Sequence, residues 1–219
     1  MTTRAGLRAL LREGLADVAA WPDATLNAWI NDALRDYSNA FPRHLEAAIA
    51  GVAGQVVYPL SGLAGIQGVL TVECPAGAEP ACYLARRPEQ GTFRGLPVYD
   101  LRGEPPVALV LGAAPAAGQA ILLRYTALHP LPTHDSAALT VPESHQEALK
   151  LFVQWQAIKL LELNQAANPD TTSLLLSMLG LNAVRAERLY RGKLEEYRKL
   201  STPGGYAGPW RMDRSDRVY

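Results

Sequence analysis

The spacing of apolar residues changes twice along this chain, and that change restricts its fold more than any other feature. Up to about residue 42, and again beyond about residue 140, the spacing is helical. Between about 50 and 130 it breaks into short β-type runs separated by Gly and Pro. Leu7, Leu11, Leu15 and Val18 step by four, four and three, which predicts a first helix over about 4–19. Trp21-Pro22 interrupts it. Asp23 is the expected N-cap of a second helix, where its carboxylate accepts a free backbone N–H and meets the positive end of the helix dipole. Leu26, Ile30, Ala33 and Tyr37 form that helix's buried stripe, Trp29 and Leu34 widen it, and Asn27, Asn31, Asp32, Arg35 and Asp36 face away. Phe41-Pro42 stops it, because the residue before a proline is pushed out of the helical region. A segment with such firm ends and no group suited to chemistry reads as scaffold.

The middle runs QVVYPL, GVLTVEC, ACYLARR, LPVYDL, VALVLG and AILLRYTAL predict a small sheet or barrel. Its five Arg (Arg86, Arg87, Arg94, Arg102, Arg124) balance five acids (Glu73, Glu79, Glu89, Asp100, Glu104), and a neutral sheet with Pro-broken edges suits packing against protein better than against phosphate. Thr140-Val-Pro-Glu143 fits a capping box with Pro inside the first turn, opening a helix that runs to about Ala167 with Leu151, Trp155, Ile158 and Leu161 on its buried face. Asn168-Pro169-Asp170 supplies a stop and a new start. The last helix opens with the apolar SLLLSMLGL, narrows to Tyr190, Leu194 and Tyr197, and carries an excess of three positive charges over residues 183–200. The remainder, STPGGYAGPWRMDRSDRVY, is too rich in Gly, Pro and charge to fold alone, yet keeps bulky aromatics. Such side chains together with Arg concentrate binding energy, which favours an arm that anchors in a partner. The expected fold class is therefore α+β: a helical bundle of four main helices, with a β-rich insertion between the second and third and an extended C-terminal tail. Residues 1–49 are the N-terminal helical pair, 50–139 the insertion, 140–200 the long helices completing the bundle, and 201–219 the arm.

Composition excludes several functions. At 219 residues the chain can bury a real core without metals or crosslinks. Lys plus Arg and Asp plus Glu both number 21, so a strongly basic nucleic-acid binder or polybasic membrane protein is disfavoured. No apolar run of about 18 residues occurs, and MTTRAGLRALLREG places charges where a signal peptide needs its apolar region, so a soluble, unexported protein is expected. Cys74 and Cys82 flank PAGAEPA, a turn-forming linker that could bring them within disulfide range. Without a secretion signal, two reduced half-buried thiols are favoured over a disulfide, and a zinc site lacks ligands. GxGxxG, GxxxxGK[ST], GxSxG and HExxH are absent, and GLAGIQG has the spacing of strand-turn glycines. His129, His134, Asp135 and His145 could gather a metal, but nothing in their spacing fixes one geometry. Consecutive His134-Asp135-Ser136 is no triad, because triad partners meet through the fold.

WPDATLNAWINDALRDYSNAFP, VVYPLSGLAGIQGVLTVE, RYTALHPLPTHDSAALTVPESHQEAL and FVQWQAIKL, in that order over roughly residues 20–200, resemble the head-to-tail connector, or adaptor, proteins of tailed bacteriophages. The resemblance implies a virion protein made in the bacterial cytoplasm. It also implies a helical bundle repeated as a homo-oligomeric ring of twelve copies beneath the portal protein, a channel for passing DNA, and a lower face that receives a tail or nozzle protein. Cofactors, metals, membrane and catalysis are not part of it. Family connectors often grip the portal with a C-terminal segment, which here puts Tyr206, Trp210, Arg211, Arg214, Arg217 and Tyr219 in a partner-binding role. A ring needs two unlike faces on each subunit, and Arg86, Arg87 and Arg94 on the sheet, against the acidic back of the second helix, would supply them. DNA must slide through, so zero net charge fits passage better than capture. The rival readings are another ring-forming tail or baseplate component, and a small ligand-binding or enzymatic domain, which would need a deep pocket with convergent polar groups.

Overall fold

In the computed structural model, which describes residues 2–15, 21–86, 97–164 and 182–201, the chain divides into two units, residues 1–34 with 132–219 and residues 35–131. The first is helical. It contains α1 (Arg4–Gly14), most of α2 (Asp23–Ala40), a 3₁₀ turn over Glu143–His145 that leads directly into α3 (Gln146–Asn164), and α4 (Ala183–Ser201). Thr3 caps α1 by accepting the Gly6 N–H at 3.1 Å. An extended stretch then clamps this helix start: Ala5 N–H donates to the Asp135 carbonyl and Arg4 N–H to that of Ala137, both at 3.1 Å, while Leu139 N–H donates to Thr2 at 2.9 Å. Leu7 and Leu11 are buried on the face of α1 that meets α3.

Helices α3 and α4 form an antiparallel pair. At one end the His145 ring stacks on Tyr197 at 4.0 Å, and at the other Ala183 N–H donates to Glu162 Oε1 at 2.8 Å. Between these ends Phe152 meets Tyr190 edge-on at 5.3 Å. Ala148, Leu149, Phe152, Val153, Ala157, Ile158 and Leu161 are buried on α3, and Ala186, Tyr190, Leu194 and Tyr197 on α4. The α4 stripe is the one its spacing predicts. On α3, by contrast, Leu151 and Trp155 are only half-buried. LFVQWQAIKLL is apolar nearly all round, so its periodicity does not fix which side faces inward.

The second unit is built from two sheets. One is three-stranded in the order β1 (Arg43–Ala50), β7 (Ala120–Ala127), β3 (Ile66–Glu73). The other is four-stranded in the order β2 (Val57–Pro59), β6 (Ala108–Leu111), β5 (Val98–Arg102), β4 (Ala85–Arg86). β1 and β7 pair antiparallel without a break from Arg43–Ala127 to Ala50–Ala120, and β3 pairs along the other side of β7 with two irregularities. β4 lies parallel to β5, whereas the other pairs in that sheet are antiparallel. Both sheets contribute to one core, in which Ile121, Leu123, Tyr125 and Ala127 of β7 and Ile66 and Val72 of β3 join Tyr58, Tyr99, Leu109 and Leu111 of the other sheet. Gly51 ends β1 against the turn before β7. Its N–H donates to the Gln119 carbonyl at 2.7 Å, and a Cβ there would overlap that oxygen.

Several expectations are corrected. The described residues form an α+β mix of four helices and two sheets with seven strands, not a four-helix bundle carrying one β-rich insertion. Among the described residues only α3 and α4 pack along their length as bundle helices do, and the last residues of α2 belong to the sheet unit. β1, read from RHLEAAIA, was not among the expected strands. Its Ala and Glu favour helix in isolation, and the eight-residue ladder with β7 overrides them. Asp23 is the first residue of α2 and not its N-cap; Leu26 N–H bonds the Pro22 carbonyl at 3.1 Å. The cap position before the 3₁₀ turn falls on Pro142, so Pro precedes the first turn there and does not sit inside it. Val18, Ala167, Asn168-Pro169-Asp170 and SLLLSMLGL lie outside the described residues.

Candidate functional site

Within the sheet unit, the ends of β3 and β5 and the loops after β2 and β5 enclose an open groove of about 1370 Å³. Val107 and Leu128 are exposed along it, and Asp100, Glu104 and Arg86 place charges of both signs on its wall. Arg86 sits on β4, in register with Tyr99 of β5, and is exposed. It is the one residue of the proposed Arg86, Arg87 and Arg94 face that can be placed, since Arg87 and Arg94 lie outside the described residues. So do all six partner-binding residues of the arm: Tyr206, Trp210, Arg211, Arg214, Arg217 and Tyr219.

On the helical unit, exposed apolar side chains gather where α3 ends and α4 begins. Leu163 and Val184 are 70 % and 69 % exposed, with Leu160 and Leu189 beside them in sequence on the same two helices. Arg185 and Arg188 line a small hollow there with Val184 and Leu189. Further along α4, cations are matched to acids of the same helix: Arg191 to Glu187 at 3.7 Å, Lys193 to Glu196 at 3.0 Å, and Arg198 to Glu195. Such exposed pairs contribute little stability and leave a nearly neutral surface. Arg185 and Arg188 thus add positive charge at the start of this helix, next to the apolar side chains, and Lys199 adds it at the end.

The strongest electrostatic cluster was not foreseen. Arg4, Arg8 and Arg12 project at four-residue spacing from α1, and Asp135 bridges the first two. Arg8 Nη2 donates to Asp135 Oδ2 and Arg4 Nη2 to Oδ1, each at 2.8 Å. Arg8 also reaches Asn27 Oδ1 at 3.1 Å and Asp23 Oδ2 at 3.3 Å, and Arg12 pairs with Asp23. The hydrogen bond from Arg8, then that from Arg4, holds the Asp135 carboxyl below its ordinary value, and the Asp135 bond raises Arg8. Arg8 is only 8 % exposed, so this network ties α1, the start of α2 and the stretch after residue 131 together. The arginine stripe is visible in the sequence; its acidic partner, more than a hundred residues away, is not.

The histidines have separate roles. His129 is buried; its Nε2–H donates to the Phe41 carbonyl at 3.1 Å, its backbone N–H donates to Ser38 Oγ at 3.0 Å, and its ring meets Tyr37 edge-on. Burial lowers its pKa, and the Phe41 bond opposes this. His134 Nδ1 lies 3.0 Å from Ser136 Oγ, and His145 stacks on Tyr197. Among the described residues no group of three His, Cys, Asp or Glu is placed to hold a metal ion, and no helix is long and apolar enough to cross a membrane. What the described surfaces offer is docking area with charges of both signs. A family model described as SU10 adaptor protein matches residues 2–213, nearly the whole chain. No curated protein matches it.

Proposed function

We propose that this chain, which belongs to the SU10 adaptor protein family, joins the portal of a phage particle to its tail as one subunit of a ring around the DNA path. Membership makes it a structural phage adaptor, and the match over residues 2–213 is the observation that carries the reading. The finer statements are our own. Twelve copies surround the channel, the arm with Tyr206, Trp210, Arg211, Arg214, Arg217 and Tyr219 grips the portal protein, and a tail or nozzle protein docks on the opposite end. Arg86, Arg87 and Arg94 meet an acidic surface of the neighbouring copy. A balance of 21 basic and 21 acidic residues supports passage of DNA without capture. Exposed Leu163 and Val184 support burial against another protein, since apolar side chains of this size gain when water is removed from them.

The test is to mix the purified chain with its portal ring and follow the complex by size exclusion with light scattering and by cryo-EM. A closed ring of the chain seated on the portal is expected. Deleting residues 202–219 should leave the melting temperature unchanged and abolish attachment. A chain that never joins the portal, or that seats only on a baseplate component, would overturn the assignment.

A further inference from the structure

The chain has two cysteines, and the fold sets them opposite each other. Glu73 at the end of β3 bridges antiparallel to Tyr83. On one side of that bridge Leu84 N–H donates to the Val72 carbonyl at 2.8 Å, and on the other Cys74 N–H donates to the Cys82 carbonyl at 3.0 Å. Cys74 and Cys82 therefore face each other one step beyond an isolated antiparallel bridge, joined by the one hydrogen bond from Cys74 N–H, and side chains at facing antiparallel positions leave on the same side. For facing residues of this hydrogen-bonded kind the Cα atoms are expected about 5.5 Å apart, inside the window of a disulfide, and the Cβ atoms up to about 1.7 Å wider than a relaxed disulfide prefers, so closure needs a small backbone shift. The loop between them is anchored at its base: Gly77 N–H donates to Glu73 Oε1 and Ala76 N–H to the Ala120 carbonyl, both at 2.7 Å. Glu73 is itself buried. Both thiols are unbonded and half-buried, so a small oxidant can reach them. Burial, then the neighbouring Cys82, pushes the Cys74 thiol up.

We infer that Cys74 and Cys82 are an oxidation site that closes to an intrachain disulfide on meeting a small-molecule disulfide such as oxidised glutathione. One cysteine thiolate attacks a glutathione sulfur and expels glutathione thiolate, leaving a mixed disulfide on the protein. The facing thiolate then attacks the protein sulfur of that mixed disulfide and expels the second glutathione. Two protein thiols are oxidised, one oxidised glutathione is reduced to two thiols, and the two protons released by the cysteines end on the leaving groups. Whether a thiol pair is open or closed follows the poise of its surroundings, so a glutathione-reducing interior keeps the pair open and an oxidising medium closes it. Its use in a virion, with thiols during assembly in the cytoplasm and a locked loop after release, rests on the proposed function; the chemistry does not.

The full-length chain is equilibrated in glutathione buffers from reducing to oxidising, quenched with acid, denatured and alkylated, then weighed intact and as peptides. In the reducing buffer two alkyl groups are expected. In the oxidising buffer both are lost, the mass falls by two hydrogens, and one peptide pair links Cys74 to Cys82. Cys74→Ser and Cys82→Ser should each stop at a single glutathione adduct. Two alkylatable thiols at every ratio, two separate glutathione adducts, or links only between chains would overturn the inference. Portal and ring are absent from this measurement, so its failure would leave the adaptor reading standing, and a failed portal experiment would leave the disulfide standing.

Discussion

Replacing Leu123 by Ala tests whether β7 is the keel of the sheet unit. Leu123 is fully buried and lies in register with Ala47 of β1 on one side and Val72 of β3 on the other. The substitution removes three carbons, worth about 2.4 kcal/mol of transfer at about 0.8 kcal/mol each. Strands hydrogen-bonded on both flanks cannot close over the gap, and the small Ala47 does not reach into it, so the cavity raises the total to about 3–4 kcal/mol. With a urea slope of about 2 kcal/mol/M, the unfolding midpoint should fall by roughly 1.5–2 M. Leu122→Ala, half-buried on the opposite face of the same strand, is the control and should cost about 1 kcal/mol or less. Far-UV circular dichroism and tyrosine emission follow both units, since Tyr190 and Tyr197 lie on α4. Trp21, Trp29, Trp155 and Trp210 all fall in the residue range of the other unit, so a transition in circular dichroism that tryptophan emission does not follow is that of the sheets. A Leu123→Ala midpoint no lower than that of Leu122→Ala would refute the assignment of this strand to the centre of the core.

Two further predictions concern pH. The folded state holds Asp135 below the ordinary carboxylate value of about 3.9, so its pairing with Arg8 and Arg4 stabilises fully above that value and is lost as pH falls through the lower, folded value. Asp135→Asn should lower the melting temperature at neutral pH and flatten the acid limb below about pH 4; an unchanged acid limb would show that the cluster carries no linkage. His129 is also held below its ordinary value, so the unfolded chain takes up a proton first and stability is lost as pH drops below about 6.5. His129→Gln keeps a donor for the Phe41 carbonyl and should reduce the slope of melting temperature between pH 7 and 5. His145, lowered by its own burial, leaves a residual slope. An identical slope in the variant would rule out His129 as its source.

Where one face of an element is apolar and the other polar, its state and its buried side were both legible. Leu26, Ile30, Ala33 and Tyr37 of α2 are all buried, and so are Tyr190, Leu194 and Tyr197 of α4. β7 alternates along AILLRYTA as a strand with one face on a core must. The same logic failed on α3, where apolar residues surround the helix, and on RHLEAAIA, whose composition points to helix. The candidate surfaces were legible only in part: Arg86 is exposed, while the exposed apolar side chains at the junction of α3 and α4 and the pairing of Asp135 with the arginine stripe drew no signal from local pattern.

By itself the amino-acid sequence determined the helical spacing towards both ends of the chain, the β-type middle, the neutral charge and the stop of α2 before Phe41-Pro42, because each depends on spacing or content within a few residues. Tertiary structure alone decided that RHLEAAIA is a strand, that the β residues divide between two sheets, that Asp135 gathers Arg4 and Arg8, and that Cys74 faces Cys82. Each of these is settled by a partner distant along the chain or by a ladder register, and a pairing free energy of that kind outweighs local preferences of a few tenths of a kcal/mol per residue.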